Sequence, residues 1–183
     1  MLVWMDLEMT GLNPEIDTII EIATIITDDN LNIVAEGPDL VIGADPDLLN
    51  NMEDIVMAMH SKSGLLDEVR NSELSMEDAK NITLEFISKY ITENSTPLAG
   101  NSIGTDRRFL VKYMPEIENF LHYRSIDVST IKELCKRWYR TEFNYFSKKE
   151  SAHRALEDIK DSIDELIYYK NKIFIDSQTE HKL

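Results

Sequence analysis

The sequence predicts an α/β protein, a mixed β-sheet flanked by α-helices in a single domain. Three observations lead there. The first 42 residues carry the patterning of strands, with β-branched residues concentrated in them. From Pro46 the apolar period turns helical, and short apolar strands then alternate with amphipathic helices. No internal repeat, low-complexity stretch or linker divides the 183 residues, a length close to the usual domain size of about 150. Residues 1–183 therefore read as one domain.

Strands are predicted from Leu2 to Leu7, from Thr18 to Thr27 and from Ile33 to Ile42. The second holds I-I-E-I-A-T-I-I, whose branched side chains suit a pleated surface. Asp28-Asp29-Asn30 is a turn signal, so the second and third strands form a hairpin. A short helix is expected from Pro46 to about Met59 and another from Ser63 to Asn71. Ser75-Met76-Glu77-Asp78 is a helix-start box, followed by Ala79, Ile82, Phe86, Ile87 and Tyr90 at helical spacing. Pro97 to Gly100 is a short buried strand, and the helix from about Thr105 to Tyr113 stops before Pro115. Tyr123 to Asp127 is a strand, Val128 to Tyr139 an amphipathic helix and 140–152 a polar loop. The last helix runs from about His153 to Ile173, with Leu156, Ile159, Ile163, Leu166 and Ile167 as its stripe.

Composition excludes several classes. With 43% hydrophobic residues the chain can fill a core, so it is not a disordered protein. The single cysteine, Cys135, forms no intrachain disulfide and fits a small buried hydrophobe. The apolar run Met1 to Met5 meets Asp6 without a basic flank and is too short for a signal peptide. No apolar stretch approaches the roughly 20 residues that span a bilayer. A soluble, cytoplasmic protein without membrane partners is expected. Against 34 Asp and Glu stand 19 Lys and Arg, a net charge of −15. Residues 1–61 hold 13 of the acids and no Lys or Arg. Such a field repels long duplex nucleic acid, so a nucleic-acid partner would have to be short and screened by metal ions.

Asp6 and Glu8 lie two apart on the first strand, so both carboxylates leave one face, and Thr10-Gly11-Leu12 leads into a turn. Two carboxylates that close suit a hard cation, and in isolation equally fit a polar edge. Asp106 opens a helix after a turn-rich stretch, where capping is the simpler role. Asp158 sits among Glu157, Asp161, Asp164 and Glu165, which in isolation reads as a solvated helix face. His153, five residues earlier, would ordinarily be a helix-start residue.

Taken together, D-L-E-M-T-G-L at 6–12, G-N-S-I-G-T-D-R-R-F-L at 100–110 and H-R-A-L-E-D at 153–158 resemble the three motifs of the DEDDh exonuclease superfamily. Their order and spacing, with D-V-S-T-I-K-E-L at 127–134, resemble the oligoribonuclease family over nearly the whole chain. The resemblance implies a ribonuclease-H-like fold and a homodimer. It also implies 3′-to-5′ hydrolysis of very short single-stranded RNA, linear dinucleotides above all, to 5′-mononucleotides. Asp6, Glu8, Asp106 and Asp158 would then bind two divalent cations, Mg²⁺ or Mn²⁺, which suit carboxylate oxygens and can take up charge at both the attacking and the departing oxygen. His153 would be the general base, a task fitted to imidazole. Ser102, Arg124, Ser129 and Thr130 match the family's cap on the 5′ phosphate. His60 and Tyr123 match residues along the substrate, Tyr123 coming from the second protomer, and Leu12 matches a wedge between bases.

Read without the resemblance, Leu12 fits a core residue and Tyr123 and Ser129 a strand end and a helix cap. One position departs from the family pattern: Ile55 stands where a tryptophan would stack on the 5′ base. Two other readings compete, a related exonuclease acting on longer RNA or DNA ends and a binding protein that has lost catalysis. The surface around Tyr123 and 132–149 is the expected dimer contact, with Lys132, Lys136, Arg137, Arg140, Lys148 and Lys149 as a basic counterweight or, more simply, a solvated helix face.

Overall fold

In the first strand, β1 (Leu2–Met9), alternate side chains leave opposite faces, and both faces are covered. The structure, a computed structural model, describes residues 1–139 and 153–174. β1 pairs antiparallel with β2 (Ile19–Thr27), which pairs antiparallel with β3 (Ile33–Val41). On its other side β1 runs parallel to β4 (Pro97–Gly100), and β4 parallel to β5 (His122–Asp127). The sheet order is β3-β2-β1-β4-β5, the mixed sheet that the sequence predicts. Asp28 makes the predicted hairpin turn, its Oδ1 accepting from the amides of Asn30 and Asn32 at 2.8 and 2.9 Å.

Helices cover both faces. Val3, Met5, Leu7, Ile22 and Ile26 face a core completed by α4 (Met76–Ser88), α5 (Gly104–Tyr113) and α6 (Pro115–Phe120). Trp4, Ala23 and Ile25 face α7 (Val128–Trp138) and α8 (Ala155–Lys172). Asp6 and Glu8 share this second face with Trp4, so α8 must pass over them. β2 is buried along its whole length, which accounts for its near-continuous apolar run.

The helical boundaries correct the sequence reading in three places. The segment expected from Pro46 to Met59 is two helices, α1 (Pro46–Asn50) and α2 (Asp54–Ser63). Between them buried Met52 drops into a third core with Ile20, Leu49, Leu65, Leu66 and Val69, a tertiary contact that overrides local helical period. Gly64, at φ +81°, then separates α2 from α3 (Leu65–Asn71), a backbone conformation suited to glycine. Pro115 both ends α5 and opens α6, where its missing amide hydrogen costs nothing. α8 starts at Ala155 rather than His153, because His153 has φ +51° and Arg154 is extended. The Ser75 box behaves as expected, its Oγ accepting from the Asp78 amide at 3.1 Å. Among the described residues no helix is long and apolar enough to cross a membrane.

Candidate active site

The site forms where β1 outruns β4. Their ladder pairs Val3 with Leu98 and Trp4 with Ala99, and β4 ends at Gly100. Gly100 packs so tightly that a Cβ there would lie 2.7 Å from Ile103 Cδ1 and 3.0 Å from the Met5 carbonyl oxygen. Past this point the amide of Leu7 points toward the missing strand, and Asp106 takes it, accepting at 3.0 Å. Asp106 lies in the first turn of α5 and is buried, with one carboxylate oxygen held by the β1 backbone. The turn before α5 places Ser102 at φ +52° and sends its amide to Asp127 Oδ1 at 3.0 Å. The same oxygen caps α7 by accepting from the Ser129 amide at 2.9 Å and the Ser129 hydroxyl at 2.7 Å.

On the α8 side, ligand atoms of Glu8, His153 and Asp158 lie within 4.8 Å of one another, a grouping able to hold a metal ion. Asp6 and Asp106 are outside that set but inside its field. Burial pushes the Asp6 carboxyl well above its ordinary range, and the charges of Asp106, Glu8 and Asp158 push it further. Glu8 is raised to about 8, by burial and then by Asp158, Glu21 and Asp106, with Arg154 opposing. Asp106 is raised to about 7, by burial, against the hydrogen bond from Leu7 and with Asp127 adding to the rise. The four acids and the histidine that the sequence singles out thus converge. Oxygen donors with too much negative charge among them, in a partly buried cleft, are what a divalent cation would relieve.

His60 is fully buried on α2, its Nε2 2.9 Å from the Met9 carbonyl and its Nδ1 3.9 Å from Glu8 Oε2. Among the described residues that Nδ1 has no hydrogen-bond partner. Burial lowers the His60 pKa. Leu12 is not a core residue: it is 72% exposed and lines a cleft of about 610 Å³ with Ile55, which is 75% exposed, and with Thr10, Gly11, Asn13 and Val56. Gly11 is needed there because a Cβ would lie 2.5 Å from Asp17 Oδ2, the oxygen that accepts from the Asn13 amide at 2.9 Å.

Tyr123 and Arg124 sit on edge strand β5, both exposed, with the Arg124 guanidinium 5.4 Å from the Tyr123 ring centre. Ser102, Ser129 and Thr130 gather near Asp127, where α7 begins. Of the expected basic counterweight, Lys132 meets Glu165 at 3.1 Å, and Lys136 and Arg137 both meet Glu133, at 2.7 and 2.5 Å. The last two belong to an exposed, locally paired helix face. Arg140, Lys148, Lys149 and the expected 140–152 loop lie outside the described residues.

The sequence reading missed Glu21, Arg154 and Glu68. Glu21 is fully buried opposite Glu8, with Oε1 accepting from Arg154 Nε at 2.8 Å and Oε2 from the Ala155 amide at 3.0 Å. The two terminal nitrogens of Arg154 reach Glu68 at 2.8 and 3.0 Å. The signal was one carboxylate inside the run I-I-E-I-A-T-I-I, since a charge in a doubly covered strand requires a partner.

The exonuclease family model matches residues 3–166. Match and acid cluster together define an enzyme of the DEDDh exonuclease class. Oligoribonuclease of Pseudoalteromonas atlantica is 54% identical over 173 residues, 94% of this chain and 95% of the relative. Mitochondrial oligoribonuclease of Bos taurus is 49% identical over 181 residues, 99% of this chain and 76% of the relative. The chain belongs to the oligoribonuclease family. Among solved structures, E. coli exonuclease I in a zinc-bound complex with single-stranded DNA superposes with a TM-score of 0.70 at 17% identity, over 94% of this chain and 40% of the other. Exonuclease I of Methylocaldum szegediense gives 0.64 at 17% identity, over the same shares. This chain therefore spans less than half the length of those structures, and the likeness is one of fold, the ribonuclease-H-like sheet expected from the motifs.

Proposed function

We propose that the protein removes nucleotides from the 3′ end of very short RNA, with linear dinucleotides as preferred substrate and 5′-mononucleotides as product. The observation that carries this reading is the convergence of Asp6, Glu8, Asp106, Asp158 and His153 at one end of the sheet, where the chain runs on from Glu8 into the cleft lined by Thr10, Leu12 and Ile55. The carboxylates would hold two divalent cations, Mg²⁺ or Mn²⁺, which when bound supply Lewis acidity and offset the charge of the phosphodiester. The chain's own groups do the rest. His153 accepts the proton of the attacking water at a ring nitrogen. Leu12 and Ile55 border the cleft where bases lie, and dispersion against their exposed side chains fixes the sugar–base end. Arg124, with the hydroxyls of Ser102 and Thr130, supplies donors for a 5′ phosphate, and Ser129 would join them on turning its hydroxyl proton away from Asp127. Such a cap excludes a further nucleotide, and so selects length.

We further propose that the enzyme is a cytoplasmic homodimer in which Tyr123 of one protomer meets substrate held by its partner. Exposed Tyr123 on β5, Leu134 and Trp138 on α7 and Tyr139 just after it support this contact. A time course with 5′-labelled RNAs of two to seven nucleotides and a short DNA, with Mg²⁺, Mn²⁺ or chelator, tests the function. Chelator-sensitive preference for the dinucleotide is the expected result. Faster cleavage of longer chains keeps the metal site and removes the cap, and no cleavage favours a binding protein.

A further inference from the structure

One guanidinium ties three elements together beside the acid cluster. Arg154 gives Nε to Glu21 on β2 at 2.8 Å and its two terminal nitrogens to Glu68 on α3 at 2.8 and 3.0 Å. The second oxygen of Glu21 takes the Ala155 amide at 3.0 Å, so one buried carboxylate grips both the side chain of Arg154 and the first backbone amide of α8. Immediately before lies His153 at φ +51°, a left-handed conformation that a non-glycine residue keeps only when its surroundings impose it. Glu21 also stands opposite Glu8 in the β1–β2 register, so the same carboxylate that anchors the histidine segment is referenced to the strand carrying the acids.

A buried ion pair is a poor way to add stability, because desolvation offsets most of the attraction and apolar residues of equal volume do as well. What the fork does supply is position, since its planar donors fix both distance and angle. We infer that the Glu21–Arg154–Glu68 clamp is a positioning device that sets the His153 imidazole against Glu8 and Asp158, with Arg154 as the positioning residue. The inference rests on the reading of His153 as the base. Arg154 itself need touch no substrate.

The test compares Arg154→Ala, Arg154→Lys and Glu68→Gln with the wild-type chain. Kinetics are measured on a dinucleotide at saturating Mn²⁺, together with histidine ring NMR and amide hydrogen exchange. Loss of the clamp in Arg154→Ala is expected to lower kcat about 10–100-fold, the usual cost of losing a group that orients a site histidine, with KM changed by less than about threefold. Lysine, which cannot make the fork, recovers only part of the loss. The His153 ring signals, assigned with His153→Ala, move and the Ala155 amide exchanges faster. The His122 signals and the β1 and β2 amides stay as in wild type.

An unchanged kcat overturns the inference, as does a His153 signal that does not move. Equal loss of protection in β1 and β2 makes Arg154 an ordinary structural residue, and Glu68→Gln, at a half-exposed carboxylate, then decides with the same readouts in a folded chain. A wild-type chain that leaves dinucleotides intact refutes the proposed activity alone. The ring signals and the Ala155 amide still decide the clamp.

Discussion

At the scale of single residues, the cluster is defined by charge that the fold crowds together without neutralising. Glu8 and Asp106, raised to about 8 and 7, hold protons in the metal-free native chain that an unfolded chain, with carboxyls near their ordinary values of 4.5 and 3.8, has released. Between about pH 4 and 8 the native state therefore binds more protons, and these groups make its stability fall as pH rises. Calorimetric Tm in chelator is expected to decline over that window more in wild type than in Asp106→Asn, and added Mn²⁺ to raise Tm more at about pH 8 than at about pH 5.5. Asp6→Ala or Asp158→Ala should lower metal-dependent hydrolysis on the order of a thousandfold, the equivalent of several kcal/mol of lost charge stabilisation. Full activity in either would remove the ligand assignment. For His153→Ala, a base role predicts lost turnover with Mn²⁺ binding retained in titration calorimetry. Lost binding would instead make the imidazole a ligand, a role its place in the 4.8 Å grouping also suits.

At the scale of elements, the cleft between the β1–β2 loop and α2 is where bases are proposed to bind. Ile55 offers dispersion but no ring face, and base stacking on an aromatic contributes about 1–3 kcal/mol. Ile55→Trp is therefore expected to tighten dinucleotide binding by about tenfold or more, measured as Kd with Ca²⁺ in place of the catalytic ion. Unchanged affinity would remove the idea. The elements themselves were legible in the sequence where their cause is local. The hairpin at Asp28, the Ser75 cap and the strand β2 each follow from residue types within a few positions. The break between α1 and α2 was not legible, because it depends on Met52 reaching a core assembled from β2 and α3. α6 was missed because proline was read only as a stop. The acids and His153 were legible as motifs, but their convergence depends on α5 and α8 arriving from opposite sides of β1. Glu21 went unnoticed because its partners are 47 and 133 residues away, at Glu68 through Arg154 and at Arg154 itself.

At the scale of the molecule, the exposed aromatic residues of β5 and α7 bear on assembly. Tyr123 and Trp138, 73% and 68% exposed on β5 and α7, are large side chains that the proposed second copy would cover. Trp138→Glu is expected to shift the sedimentation profile from dimer to monomer and to depress turnover, since Tyr123 is proposed to act across the contact. A wild-type chain that sediments as a monomer while cleaving dinucleotides at full rate would refute this arrangement.

The short β4 has a consequence for how this enzyme can be altered. Because the strand stops at Gly100, the amide of Leu7 is free to be claimed by Asp106. A longer β4 would zip the sheet further and raise its cohesion, yet it would evict the carboxylate from its perch. Changes that harden the protein at this seam and changes that sustain its chemistry thus pull against each other, so a search for thermostable variants should find few gains along 100–106 that leave turnover intact.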